Sequence, residues 1–98
     1  MNIEMNRNGN ALTVNVIGRL DTTTAPQMEK ELDAGMEGVE NLVIDCEKLE
    51  YISSAGLRLL LKLQKKMSAL GGMKLLHVND ANMEVFAITG FDQILTIE

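Results

Sequence analysis

The chain has 98 residues, 46% of them hydrophobic, with a net charge of −5, a pI near 4.8 and a mean hydropathy of +0.04. That length supports one compact domain over 1–98 with a single core, and with only 3% aromatic residues the core is aliphatic, built from Leu, Ile, Val and seven Met. The acidic balance argues against nucleic acid as a partner, and no apolar run is long enough for a membrane span. Cys46 stands alone, so no internal disulfide forms, which fits a reducing compartment. Residues 1–10 are polar and lack the hydrophobic stretch of a secretory signal, so a soluble cytoplasmic protein is expected.

In chain order, residues 3–7 alternate apolar and polar as a short strand, and Asn8-Gly9-Asn10 follows as a tight turn. Residues 11–17 read as a second strand, with Leu12, Val14 and Val16 on one face and Thr13 and Asn15 on the other. Gly18-Arg19-Leu20-Asp21 leads into a helix whose start is marked by Thr24 as cap, Pro26 in the first turn and Gln27 three residues after the cap. Met28, Leu32, Ala34 and Met36 supply its apolar positions, and Gly38 ends it. Residues 42–46 form a third strand, with Asp45 interrupting the apolar run near its end.

The longest helix is expected over 54–70. Leu57, Leu60, Leu63, Met67 and Leu70 recur at helical spacing and should be buried, while Arg58, Lys62 and Lys65 make a basic stripe opposite. Gly71-Gly72 stops it, and a strand follows over 73–78. Asn79 or Asp80 caps a short helix that ends at Gly90, and residues 94–97 form the last strand. The order β-β-α-β-α-β-α-β with short links predicts an α/β fold: a mixed, mostly parallel five-stranded sheet in a single layer. The helices then lie mainly on one face, because Thr13, Asn15 and Lys74 at alternating positions leave the other face polar.

Enzyme chemistry finds little support. Ser53 and Ser54 stand at a helix start directly after a strand, but Ile52 occupies the first glycine position of a nucleophile elbow. His77, the only histidine, lies in a strand and reads as structural or surface-facing. One Cys and one His far apart do not make a zinc site, and phosphate-loop and dinucleotide fingerprints are absent. No enzyme activity, metal or cofactor is therefore expected. Asp21 and Asp45 sit near the C-terminal ends of strands, the edge where open α/β sheets carry function, and Asp21 and Ser53-Ser54 should reach it together. A serine at a helix start often serves only as a cap. Yet the unpaired N–H groups and positive dipole end there also tolerate an added anion.

Gly18-Arg19-Leu20-Asp21-Thr22-Thr23-Thr24-Ala25, Asn41-Leu42-Val43-Ile44-Asp45 and Tyr51-Ile52-Ser53-Ser54-Ala55-Gly56-Leu57 closely resemble the STAS family, named for sulfate transporters and anti-sigma factor antagonists. Leu70-Gly71-Gly72 and Ile88-Thr89-Gly90-Phe91 also fall where that family has its helix ends, so the resemblance covers nearly the whole chain. It implies a stand-alone bacterial anti-sigma factor antagonist. Such a protein, when unphosphorylated, binds an anti-sigma factor that is often itself a serine kinase. It is released by phosphorylation of a helix-start serine and restored by a serine phosphatase. The family pattern of Asp-Ser followed by Ser or Ala and then Gly places the acceptor on Ser54, with Ser53, in the usual aspartate position, as second choice.

The candidate partner-facing residues are Asp21, Thr24, Ser53, Gly56, Leu57 and Arg58. Asp21 is equally well explained by ordering its own loop, and Thr24 is first a helix cap whose interface role the resemblance implies. Arg58, one turn on from Ser54, either meets a carboxylate on the partner or stays solvated. Leu57 also falls on the buried stripe, and Gly56 is equally well explained by close packing against a strand. Two rival readings are a STAS subunit that docks in a transport complex without being phosphorylated, and a small hydrolase or ligand-binding domain using Ser54 or Cys46.

Overall fold

A computed structural model describes residues Met1–Glu98. Strand β1 (Asn2–Asn8) turns through Gly9, whose φ of +65° glycine adopts without strain, and pairs antiparallel with β2 (Ala11–Leu20). Helix α1 (Ala25–Gly35) leads to β3 (Asn41–Asp45), which lies parallel to β2, and β5 (Gly72–Leu76) lies parallel to β3. Between them come β4 (Leu49–Ile52) and helix α2 (Ser54–Ser68); helix α3 (Asp80–Thr89) and a 3-10 turn, Phe91–Gln93, close the chain. The strand order is β1-β2-β3-β5, and β4 joins as the fifth strand on the C-terminal end of β2. The sheet is open, mixed and mostly parallel.

The register explains the single-sided core. Leu12, Leu42 and Met73 are cross-strand neighbours, as are Val14, Ile44 and Leu75, and all six side chains are buried. Thr13, Asn15, Val43, Asp45 and Lys74 project from the other face and stay partly exposed, because a pleated strand alternates its side chains. Met28 and Leu32 of α1, Leu57, Leu60, Leu63 and Met67 of α2, and Phe86 of α3 join the strand residues in one cluster. Each such burial is worth roughly 1.5–3 kcal/mol.

Several elements differ from the sequence expectation. The fifth strand is β4, not residues 94–97; that segment makes only a single parallel bridge, Leu75 to Ile97. Residues 49–52 escape a periodicity argument because four residues carry too short a pattern; Leu49 and Ile52 are buried and Glu50 and Tyr51 exposed. Helix α1 ends at Gly35, with Ala34 exposed, and Gly38 (φ +78°) sits in the turn beyond. Helix α2 stops at Ser68, whose hydroxyl donates back to the Gln64 carbonyl at 2.7 Å, and Leu70 is left 48% exposed. Asn79 is the cap of α3, accepting from the Asn82 N–H at 2.8 Å, and Gly90 ends that helix in the left-handed region.

Candidate functional site

The end of β2 and the end of β4 deliver the site. Leu20 pairs with Ile52, so Asp21 and Ser53 each lie one residue beyond a paired position. The Ser53 N–H donates to the Leu20 carbonyl at 2.9 Å, which fixes the start of α2 against the end of β2. Asp21 and the two serines therefore share one edge, as the sequence indicated.

Asp21 organises the loop before α1. Its Oδ1 accepts the Thr23 and Thr24 N–H groups at 3.0 and 3.1 Å. The Thr24 hydroxyl donates to the Arg19 carbonyl at 2.7 Å and accepts from the Asp21 N–H at 2.9 Å. Thr24 occupies the cap position of α1 but makes no side-chain cap, because its hydroxyl is already spent on this loop. The Thr24 N–H holds the Asp21 carboxyl below the usual carboxylate range; slight burial opposes it, and Thr23, the Thr24 hydroxyl and Arg19 reinforce it. Arg19 lies 3.8 Å from the Asp21 carboxylate and 4.5 Å from the centre of the Tyr51 ring, so its charge is shared between the two.

The two serines have different environments. Ser53 is the cap residue of α2 in extended conformation (φ −98°, ψ 178°), yet its hydroxyl makes no cap bond and its oxygen is buried without a partner. Ser54, the first helical residue, is exposed. An outside enzyme can reach Ser54 without opening the fold; to reach the Ser53 oxygen it must first expose it.

Gly56 and Leu57 are interior residues. A Cβ at Gly56 would stand 2.7 Å from Ile52 Cγ1, 2.8 Å from Leu20 Cγ and 2.9 Å from the Leu20 carbonyl oxygen. Of the two explanations for this glycine, close packing against the strands is the one the structure bears out. Leu57 is only 7% exposed and belongs to the core. Both are buried in the isolated chain, Gly56 against the strand ends and Leu57 among the core side chains.

Arg58 lies on the outer side of α2 and lines an open groove between α1 and α2 with Thr22, Pro26, Glu29 and Lys62. Lys62 is bonded to Glu29 across this groove, which raises the Lys62 pKa, first through the hydrogen bond and then through the charge.

His77 lies just beyond β5, with φ +57° and an exposed ring, and its Nδ1 is 3.1 Å from Asp45 Oδ1. It is therefore engaged with Asp45, which also accepts the Glu47 N–H at 3.0 Å. Burial pushes the Cys46 thiol up to about 12, with the Asp45 charge adding to it, so it is not a thiolate nucleophile at neutral pH. The hydrolase reading through Cys46 has no physical basis here. What sequence reasoning missed is the Arg19–Tyr51 pair, which depends on the pairing of β4 with β2 and left no periodic signal in residues 49–52.

An open sheet, a reachable hydroxyl at a helix start and a hydrogen-bonded aspartate loop thus meet at one edge of an α/β domain. The sequence profile of the STAS domain matches residues 2–98, and the chain belongs to that family. It is similar to the Bordetella bronchiseptica protein BtrV, with 33% identity over 99 residues covering 99% of this chain and 85% of that one. It is also similar to a Bacillus subtilis protein named anti-sigma-B factor antagonist, with 29% identity over 98 residues covering 99% of this chain and 90% of that one. Among solved structures, an anti-sigma factor antagonist from Mycobacterium paratuberculosis has a TM-score of 0.87 at 25% identity, covering 98% of this chain and 83% of that chain. No helix is long and apolar enough to cross a membrane.

Proposed function

We propose that this protein is a non-catalytic anti-sigma factor antagonist acting in the cytoplasm by partner switching. In its unmodified form it binds an anti-sigma factor of the serine-kinase type through the edge formed by Asp21, Thr24, Ser54 and Arg58. Phosphorylation of Ser54 breaks that complex, and a serine phosphatase restores it. The observation that carries the reading is the contrast between an exposed Ser54 and a neighbouring Ser53 whose oxygen is sealed. The names borne by relatives that span nearly the whole chain support the same reading.

The physical basis is charge. A phosphoserine adds about −1.5 to −2 at neutral pH. At the first residue of a 15-residue helix the fold tolerates it, because it meets the positive end of the dipole. A partner packed on the same edge must instead desolvate a dianion. A useful switch needs a coupling of about 1–3 kcal/mol, or roughly 5- to 150-fold in affinity, which surface charge supplies without backbone rearrangement.

The test is phosphorylation by the cognate anti-sigma kinase with ATP, mapped by mass spectrometry. Wild type should be modified at Ser54 and Ser54→Ala should not. Ser54→Asp should weaken partner binding by at least about fivefold while its melting temperature stays close to wild type. Equal phosphate incorporation into Ser54→Ala would reject the assignment.

A further inference from the structure

We infer that Arg58 is the built-in counter-charge for a phosphate on Ser54, so that modification both adds negative charge and withdraws Arg58 from any partner. This rests on the reading of Ser54 as the acceptor and concerns how that site is regulated.

The geometry follows from the helix. Ser54 and Arg58 both belong to α2, four positions apart, and both are exposed. Residues at that spacing are surface neighbours, with Cβ atoms about 5–6 Å apart. The order also matters: an acidic group N-terminal to a basic one at this spacing is the favourable orientation, and a phosphate at the helix start also complements the dipole. Guanidinium and phosphate match as a fork on two oxygens, a pairing stronger than a lysine point charge makes.

The nearby cations differ in their commitments. Lys62 is bonded to Glu29 across the groove. Arg19 is engaged by Asp21 and the Tyr51 ring. Lys65 lies eleven residues along the helix from Ser54, about 16 Å away at 1.5 Å per residue, too far for direct contact. Arg58 has no carboxylate within ion-pairing distance, although it lines the same groove as Glu29. It is free to capture the new charge. In the unmodified protein the same freedom leaves it available to an acidic group on a partner. The phosphate thus competes with the partner for one side chain, within a single helical turn.

The experiment uses the full chain carrying phosphoserine at position 54, installed by semisynthesis or genetic encoding so that no kinase is required. The second ionisation of the phosphate is followed by phosphorus NMR for the otherwise unaltered chain, Arg58→Gln and Lys65→Gln. Arg58→Gln should raise that pKa by about 0.15–0.4 pH unit, the scale of an exposed pair at this spacing, and Lys65→Gln should raise it by far less. The Arg58 difference should shrink in about 0.5 M salt, where screening acts within a few ångströms. Equal shifts for both variants would mean general surface charge, and no shift would mean no contact; either overturns the proposal. Because the phosphate is placed chemically, these results stand apart from the acceptor assignment. A kinase that modifies another residue would overturn the proposed function while leaving the measured pair intact.

Discussion

At Ser53 the hydroxyl oxygen is buried and unpaired in a position where serine usually caps a helix. Removing a true cap costs about 1 kcal/mol, whereas removing a buried hydroxyl that has no partner is close to neutral or stabilising. Ser53→Ala should therefore melt no lower than wild type, as read by thermal denaturation, and a drop of several degrees would mean that the hydroxyl caps in solution. Gly56 sets two effects against each other. Alanine gains about 1 kcal/mol of helix propensity over glycine, but overpacking a dense site costs typically 1–3 kcal/mol. The clash should win, because one obstacle is the Leu20 carbonyl oxygen, which is held by the Ser53 N–H at 2.9 Å and cannot shift without breaking that bond. Gly56→Ala should lower the melting temperature, and a higher one would show that the strand ends can yield.

Among the elements, α3 is the one most dependent on a few polar contacts. Asn79 caps it through the Asn82 N–H, and the Asn79 and Asn82 side chains both donate to the Leu49 carbonyl at 3.2 Å. These bonds satisfy Asn82, the single buried polar residue, and join the start of α3 to β4. Asn79→Ala removes a cap worth about 1 kcal/mol together with one of the two donors on Leu49. For a domain of this size that corresponds to a fall of about 4–8 °C in melting temperature. The Ser54 modification should proceed unchanged, since α3 lies outside the proposed edge. This pair of measurements separates the stability of α3 from the function of α2.

For the whole molecule, the pH dependence of stability follows from two carboxylates and one histidine. Asp21 is held below the usual carboxylate range, mainly by the Thr24 N–H. For Asp45 burial acts upward, but the Glu47 N–H and His77 outweigh it and the net direction is down. Both contributions are fully present above the unfolded value and are lost as pH falls through the lower folded values. His77 is raised, first by its hydrogen bond to Asp45 and then by the charge. Its contribution is fully present below about 6.5 and is lost as pH rises through the higher folded value. Stability should thus be greatest from about pH 4 to 6.5, with a gentle alkaline decline because the pair is exposed. Proton NMR of His77, the only histidine, gives a direct check: Asp45→Asn should lower its pKa, and an unchanged value would show that the pair does not form in solution.

The local rules of the chain made much of this legible. Leu12, Val14 and Val16 alternate as a one-sided strand must, and the stripe from Leu57 to Met67 is buried as its spacing indicates. Gly90 ends a helix where glycine is expected to. Such features depend on neighbours within a few residues, so the sequence by itself determined the helix starts, the polar open face and the meeting of Asp21 with the serine pair at one sheet edge. Partnerships between distant segments were decided only by the tertiary structure. Pairing with β2 makes residues 49–52 a strand, loop bonding diverts the Thr24 hydroxyl from its cap, and Leu20 and Ile52 leave Gly56 no room for a side chain. The same packing seals one serine oxygen and leaves the next serine in solvent, because burial at a helix start depends on what the rest of the chain lays against it.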